Sequence, residues 1–417
     1  MRCKTPRSTS IHLGGAGRIL SILLSFAIAA ACSPYGAWDL LSFLTVLSYS
    51  EGEIIQPQNW EDLRDYLLYQ AALGVSGPTT VDADTIGGFP AGIKWHAGVL
   101  ASNGIIYGIP WDFGYVLVLD PINNHADYSS LPVPSPPTPD SSEKWLGGVL
   151  APNGKIYGIP WNYDSVLIID PETPGTYAVD YDSIPVPAVG GWCGGVLGPD
   201  GRIYGIPCDA DHVLVVDPEM DTADPTAIPV PAGFNKWYGG VLGPDGRIYG
   251  VPRSCDCVLI IDPETSEADC TTISVPAGSE KWAGGVLAPN GKIYCIPRDA
   301  DHVLIIDPET NEADYTTIGV PAGIGKWTGG VLAPNGKIYG IPRSYDYVLI
   351  IDPETDTADC STVQVPSGSA KWIGGVLAPN GRIYCIPRDS ESVLIIDPKS
   401  LGSYDMNVAT CGYLNKF

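Results

Sequence analysis

A lysine stands directly before a tryptophan at Lys94, Lys144, Lys236, Lys281, Lys326 and Lys371, and arginines recur downstream at Arg253, Arg298, Arg343 and Arg388. In the first two copies of the pattern the arginine position holds Trp111 and Trp161. Cations beside aromatic faces suit anionic or sugar-like ligands, through charge-assisted hydrogen bonds and stacking. The residues read as ligand-binding are therefore Lys236, Lys281, Lys326, Lys371, Arg253, Arg298, Arg343, Arg388, Trp111 and Trp161. Each has a plainer alternative: packing for a tryptophan, solvation for a lysine, and pairing with a following aspartate, such as Asp299 or Asp389, for an arginine.

Catalytic patterns are weaker. The histidines are His12, His96, His125, His212 and His302, and neither Gly-x-Ser-x-Gly nor His-Glu-x-x-His accompanies them. His212 and His302 share an Asp-Ala-Asp-His context, which reads as duplication of one loop rather than as a catalytic dyad. Asp-Pro-Glu-Thr could suggest calcium, but an aspartate before proline commonly turns the chain by accepting from its own backbone. The expectation is no catalytic residue, no metal site and no cofactor.

What must position the cations and aromatics is a repeat of about 45 residues, seen in the tryptophans at 95, 145, 192, 237, 282, 327 and 372. Within it, Gly-Gly-Val-Leu-Ala-Pro and Lys-Ile-Tyr-Gly-Ile-Pro flank an Asn-Gly or Asp-Gly turn, as in a tight hairpin. Val-Leu-Ile-Ile-Asp follows; an apolar run without polar alternation is a strand covered on both faces. A fourth, alternating piece, such as residues 313–321, reads as a half-exposed outer strand. Seven four-stranded antiparallel units make an all-β, seven-bladed β-propeller. Residues 81–92 read as a fourth strand preceding any first strand, and are expected to complete the last blade; residues 404–411 are the competing candidate.

The propeller is assigned to residues 79–417, a spacer with short helices to 32–78, and a signal peptide to 1–31. Basic residues at 2, 4, 7 and 18 followed by the apolar run 19–31 form an export signal too short to span a bilayer well. The Ala-Ala-Ala-Cys sequence ending at Cys32 resembles the lipobox of bacterial lipoproteins, although Ala29 stands where that family usually has leucine. The resemblance implies lipidation of Cys32 and a membrane anchor in the cell envelope, with ordinary cleavage and secretion as the alternative. Removing Cys3 and Cys32 leaves nine cysteines, an odd number, read as packing residues with one or more disulfides left open. A net charge of -24 repels phosphate backbones and speaks against nucleic-acid partners.

Gly-Lys-Ile-Tyr-Gly-Ile-Pro followed by Val-Leu-Ile-Ile-Asp-Pro-Glu-Thr resembles the YVTN and NHL-like group of extracellular and periplasmic propellers. Propellers of this architecture include gluconolactonases and streptogramin lyases, which are metal-dependent enzymes, and their metal and acid-base residues find no matching constellation in this chain. The first reading is thus an exported, non-enzymatic binding or scaffolding propeller, recognising a protein or glycan on a basic, aromatic-rimmed face. The alternative is a metal-dependent hydrolase or lyase with its site in the central channel.

Overall fold

The computed structural model describes residues 78–134, 143–171, 178–187 and 191–398. The signal peptide, Cys32, the spacer helices and residues 404–411 lie outside them. Seven four-stranded antiparallel sheets form the blades of a propeller. In blade 4 the strands are Trp237–Leu242, Ile248–Pro252, Leu259–Asp262 and Glu267–Asp269, in that order from the axis outward. Blades 1, 2, 3, 5, 6 and 7 begin with innermost strands at Trp95–Leu100, Trp145–Leu150, Trp192–Leu197, Trp282–Leu287, Trp327–Leu332 and Trp372–Leu377.

Blade 7 takes its outer strand from the other end of the described chain. Thr80–Asp82 pairs with Leu394–Asp397, with Thr80 opposite Asp397 and Val81 opposite Ile396. This closure is the one expected from the N-terminal segment. It is reinforced between blades 7 and 1, where Asn380 Nδ2 and the Tyr384 hydroxyl donate to the Pro121 carbonyl at 3.1 and 3.0 Å. A closed ring leaves no long sheet edge open for pairing with another chain.

The apolar cores lie between blades rather than within them. One holds Tyr339, Ile341 and Val348 of blade 6 against Trp372, Ile383 and Leu394 of blade 7, and six equivalent cores complete the circle. This explains the Val-Leu-Ile-Ile runs: the third strands are buried on both faces, as Leu304–Asp307 illustrates. Cys295 and Cys385, at the second-strand position that Gly340 holds in blade 6, are fully buried in these cores as free thiols, in keeping with their reading as packing residues.

Except in blade 3, where the strand runs Thr222–Pro229, the outer strands are shorter than the alternating pattern implied. In blade 5 the strand is only Glu312–Asp314. Asp314 Oδ1 then accepts from the backbone N–H groups of Thr316 and Thr317 at 2.8 and 3.2 Å, turning the chain. A single bridge, His302 to Gly319, restores contact beyond the turn.

Each innermost strand carries a bulge between its tryptophan and second glycine. The first glycine of the pair has positive φ, as at Gly329 (77°), and a side chain there would meet the Gly374 Cα at 3.0 Å. Only in blade 1 does this position hold another residue: Ala97, at φ 76°. An L-residue is strained there, whereas glycine is not. Ala97→Gly is therefore expected to stabilise the protein by about 1 kcal/mol, relief of strain exceeding the added unfolded-state entropy. Equilibrium denaturation with guanidinium checks it.

Candidate functional site

The loops joining second to third strands and those joining successive blades meet at one end of the ring. There the backbone N–H of each lysine donates to the carbonyl of the preceding blade's arginine-position residue: Lys281 to Arg253 at 2.8 Å, Lys326 to Arg298 at 2.9 Å, Lys94 to Arg388 at 3.1 Å. The main chain itself thus stitches the blades together around this mouth.

The lysine side chains belong to that stitching. They are buried, between 1% and 7% exposed. Lys281 Nζ donates to the Cys255 and Gly278 carbonyls at 2.7 and 3.3 Å, and Lys326 Nζ to those of Ala300 and Gly323 at 2.8 and 3.2 Å. Lys236 and Lys371 repeat the arrangement. Burial pushes each of these ammonium groups down from the ordinary lysine range, and Lys144 to about 8. A preceding-blade aspartate opposes the shift, Asp256 for Lys281 and Asp301 for Lys326. The lysines read from sequence as ligand contacts are therefore blade clamps, their donors engaged by carbonyls.

The tryptophans beside them are equally structural. Each first-strand indole donates to a backbone carbonyl within its own blade, Trp237 to Cys257 and Trp327 to Tyr347, both at 2.8 Å. This circuit leaves the arginines and the residue immediately after each tryptophan to line the axis.

That second position is the variable one within an otherwise repeated Trp-x-Gly-Gly-Val-Leu, and it reads His96, Leu146, Cys193, Tyr238, Ala283, Thr328 and Ile373, with Ala97 the one departure in the pattern. His96 of blade 1 and Tyr238 of blade 4 meet, with Nε2 and the hydroxyl 2.6 Å apart. The Arg253 guanidinium lies 5.2 Å from the centre of the Tyr238 ring. His96 is held neutral, with its pKa lowered to about 3 by burial and then by Arg388, Arg343 and Arg253. All three arginines therefore crowd one imidazole.

Around this centre the mouth divides. On one side Trp111, Leu146, Cys193 and Cys208 form an apolar cluster, with Trp161 packed against it. The Trp111 ring lies 6.2 Å from Trp161 and 5.0 Å from His96. On the other side stand the four arginines. Arg253 grips Glu280 through both Nε and Nη2, at 2.8 and 2.7 Å, and Arg298 shares the same carboxylate. Arg388 pairs with Asp389 at 3.0 Å. Among the described residues Arg343 has no ion pair. Burial, and then Arg388, push its pKa down from the ordinary arginine range.

Glu280 has a left-handed backbone, φ 57°. The equivalent residue in the next blade is Gly325, where a Cβ would stand 2.7 Å from Arg343 Nη1. Three further buried polar atoms at this end have no hydrogen-bond partner among the described residues: His96 Nδ1, Trp111 Nε1 and Thr328 Oγ1.

The end as a whole is not basic, contrary to expectation. The same loops carry Asp211, Asp256, Asp301, Asp346 and Glu391, which surround the clamped lysines. The cationic character is confined to the arginines at the centre, inside a carboxylate rim. At the opposite end the Asp-Pro-Glu-Thr hairpins are turns, as in Asp307 Oδ1 accepting from the Glu309 N–H at 3.0 Å. Among the described residues no three His, Cys, Asp or Glu side chains gather as a metal-ligand set.

Sequence reading missed His96, Tyr238, Thr328 and Glu280. The first three were signalled by their place at the variable position of a repeated strand. Glu280 carried the weaker signal of a carboxylate next to the Lys-Trp pair.

No protein-family model and no curated protein matches the chain. Solved structures share its fold. A streptogramin B lyase superposes with a TM-score of 0.61 at 13% identity, over 76% of this chain and 97% of the lyase. A catalytically inactive virginiamycin B lyase from Staphylococcus aureus, bound to quinupristin, gives 0.62 at 8% identity, over 76% and 99%. The extracellular domain of a putative hybrid two-component system from B. thetaiotaomicron gives 0.55 at 11% identity, over 79% of this chain and 44% of that one.

Proposed function

We propose that the chain is an exported, non-enzymatic binding or scaffolding propeller that recognises a protein or glycan ligand at its arginine-centred mouth. The observation that carries this reading is Arg343, a half-buried guanidinium that makes no ion pair among the described residues, beside Arg298 and Arg388. Clustered like charges taken out of water disfavour one another, and an anionic group on a ligand relieves that cost. Trp161 adds an aromatic surface across the mouth, where stacking adds to charge-assisted hydrogen bonding. Export to the cell envelope, with Cys32 as the lipid anchor, fits a receptor for extracellular material; labelled palmitate incorporated by the wild type and lost in Cys32→Ala tests the anchor.

The ligand reading is tested by a glycan array and by binding to isolated envelope proteins, with Arg253, Arg298, Arg343 and Arg388 all replaced by glutamine. The expected result is loss of at least tenfold in affinity with the fold retained. An unchanged binding profile sinks it. The lyase or hydrolase alternative draws on fold likeness alone. A stoichiometric metal in the purified protein, held by carboxylates in the central channel, would favour it instead.

A further inference from the structure

Resting on the binding reading above, we infer that the mouth recognises a sugar carrying a single carboxylate, of the uronic acid type. The carboxylate is received by Arg343 and Arg388, and the sugar ring lies against Trp161.

The groups without partners at the mouth supply donors. Trp111 Nε1 can only donate, and it is unpartnered in a residue 7% exposed. Thr328, 3% exposed, has a hydroxyl free to donate. The His96–Tyr238 pair holds two mobile protons in its neutral form and uses one in its own hydrogen bond. Whichever tautomer forms, one N–H or O–H donor remains, at Nδ1 of His96 or at the Tyr238 hydroxyl. Together with the Arg343 guanidinium these groups ask for an acceptor that brings negative charge.

The protein shows which anion its arginines take. Arg253 and Arg298 hold the Glu280 carboxylate between them, Arg253 through two of its nitrogens. In the next two blades Gly325 and Ala370 replace glutamate at the equivalent loop positions, so that among the described residues Arg343 has no ion pair and Arg388 has only its neighbour Asp389. Glycine at 325 also leaves the space that the Arg343 guanidinium occupies.

Two features select a sugar over an acidic peptide or a polyanion. Trp161, partly exposed and backed by the buried Trp111 with ring centres 6.2 Å apart, offers an aromatic surface for the apolar face of a pyranose. The carboxylate rim, Asp211, Asp256, Asp301 and Asp346, repels any ligand with several negative charges. Neutral hydroxyls, by contrast, can donate to it.

Isothermal titration calorimetry with methyl glucuronide, its methyl ester, methyl glucoside, sodium acetate, inorganic phosphate and an acidic peptide tests the inference on the full chain. Methyl glucuronide is expected to bind. The ester and the glucoside should bind at least tenfold more weakly, and acetate and phosphate more weakly still. Arg343→Gln should reduce glucuronide affinity at least tenfold, and Arg343→Lys, which keeps the charge without the fork, by less. Trp161→Ala should weaken the glucuronide several-fold and leave acetate unchanged. Equal affinity for glucoside and glucuronide, or for acetate and glucuronide, overturns the inference, as does tighter binding of the peptide. If the array finds neutral glycans sensitive to the arginine substitutions while glucuronide fails, the binding reading stands and the carboxylate assignment falls. If nothing on the array or in the titrations depends on the arginines, both fall.

Discussion

Replacing Trp237 by alanine is expected to destabilise the propeller by about 3–5 kcal/mol, the range for removing a large aromatic from a packed interior. Trp237 is fully buried between blades 3 and 4, in a core with Ile206, Val213 and Leu259. Its indole N–H also satisfies the Cys257 carbonyl at 2.8 Å, and the Lys236 ammonium lies 5.8 Å from its ring. Truncation thus opens a cavity, strands a buried carbonyl and loosens a clamp at once. Trp237→Phe retains most of the packing but not the hydrogen bond, so a loss of about 1–3 kcal/mol is expected. Guanidinium denaturation followed by circular dichroism measures both. A cost below about 1 kcal/mol for the alanine variant would mean that the tryptophans are not the pegs between blades, against the 3–5 kcal/mol expected of such a truncation.

Acid should weaken the fold through His96. Its folded pKa of about 3 lies below the ordinary value of 6.5 because burial and three arginines oppose a charge on the ring. Between those values the unfolded chain binds the proton and the folded chain does not, so stability rises with pH across the window. The contribution is fully present above about 6.5 and is lost progressively as pH falls toward 3. From pH 7 to pH 4.5 the loss is about 2–3 kcal/mol for this residue. Surface aspartates such as Asp245, whose carboxyls hydrogen bonding holds low, add to acid sensitivity in the same direction. His96→Gln retains a group that can meet the Tyr238 hydroxyl but does not titrate. Its stability should therefore fall less than that of the wild type over the same interval, and the difference between the two proteins isolates the imidazole. Parallel pH dependence of wild type and variant would contradict the assignment.

The blades were legible because the same physical demands recur in every copy. Asn-Gly and Asp-Gly turns, apolar third strands and paired glycines each allow one local structure, and the copies agree. Closure was legible from a fourth strand placed ahead of any first. The site was legible only in part. Arginines at matching positions in successive blades had to converge, since each follows its second strand at the same end. Nothing in the Lys-Trp pair, however, shows that Lys281 Nζ returns to the Cys255 carbonyl 26 residues earlier. An ammonium on a long flexible stem reads alike whether solvated or buried. The rim carboxylates were in view but were not placed on the same end as the cations. The contact of His96 with Tyr238 spans 142 residues and depends on how far apart two blades sit on the ring, which no local pattern encodes.

The two kinds of cation at the mouth separate most directly in a paired comparison of Arg343→Gln and Lys326→Met, with ligand affinity and denaturation midpoint measured on each. Arg343→Gln should lose at least tenfold in affinity and keep or raise the wild-type midpoint. Lys326→Met, which leaves the Ala300 and Gly323 carbonyls unsatisfied, should cost about 2 kcal/mol in stability and, once folded, bind as the wild type does. Retained binding in Arg343→Gln with lost binding in a stably folded Lys326→Met would contradict the division into binding arginines and clamping lysines.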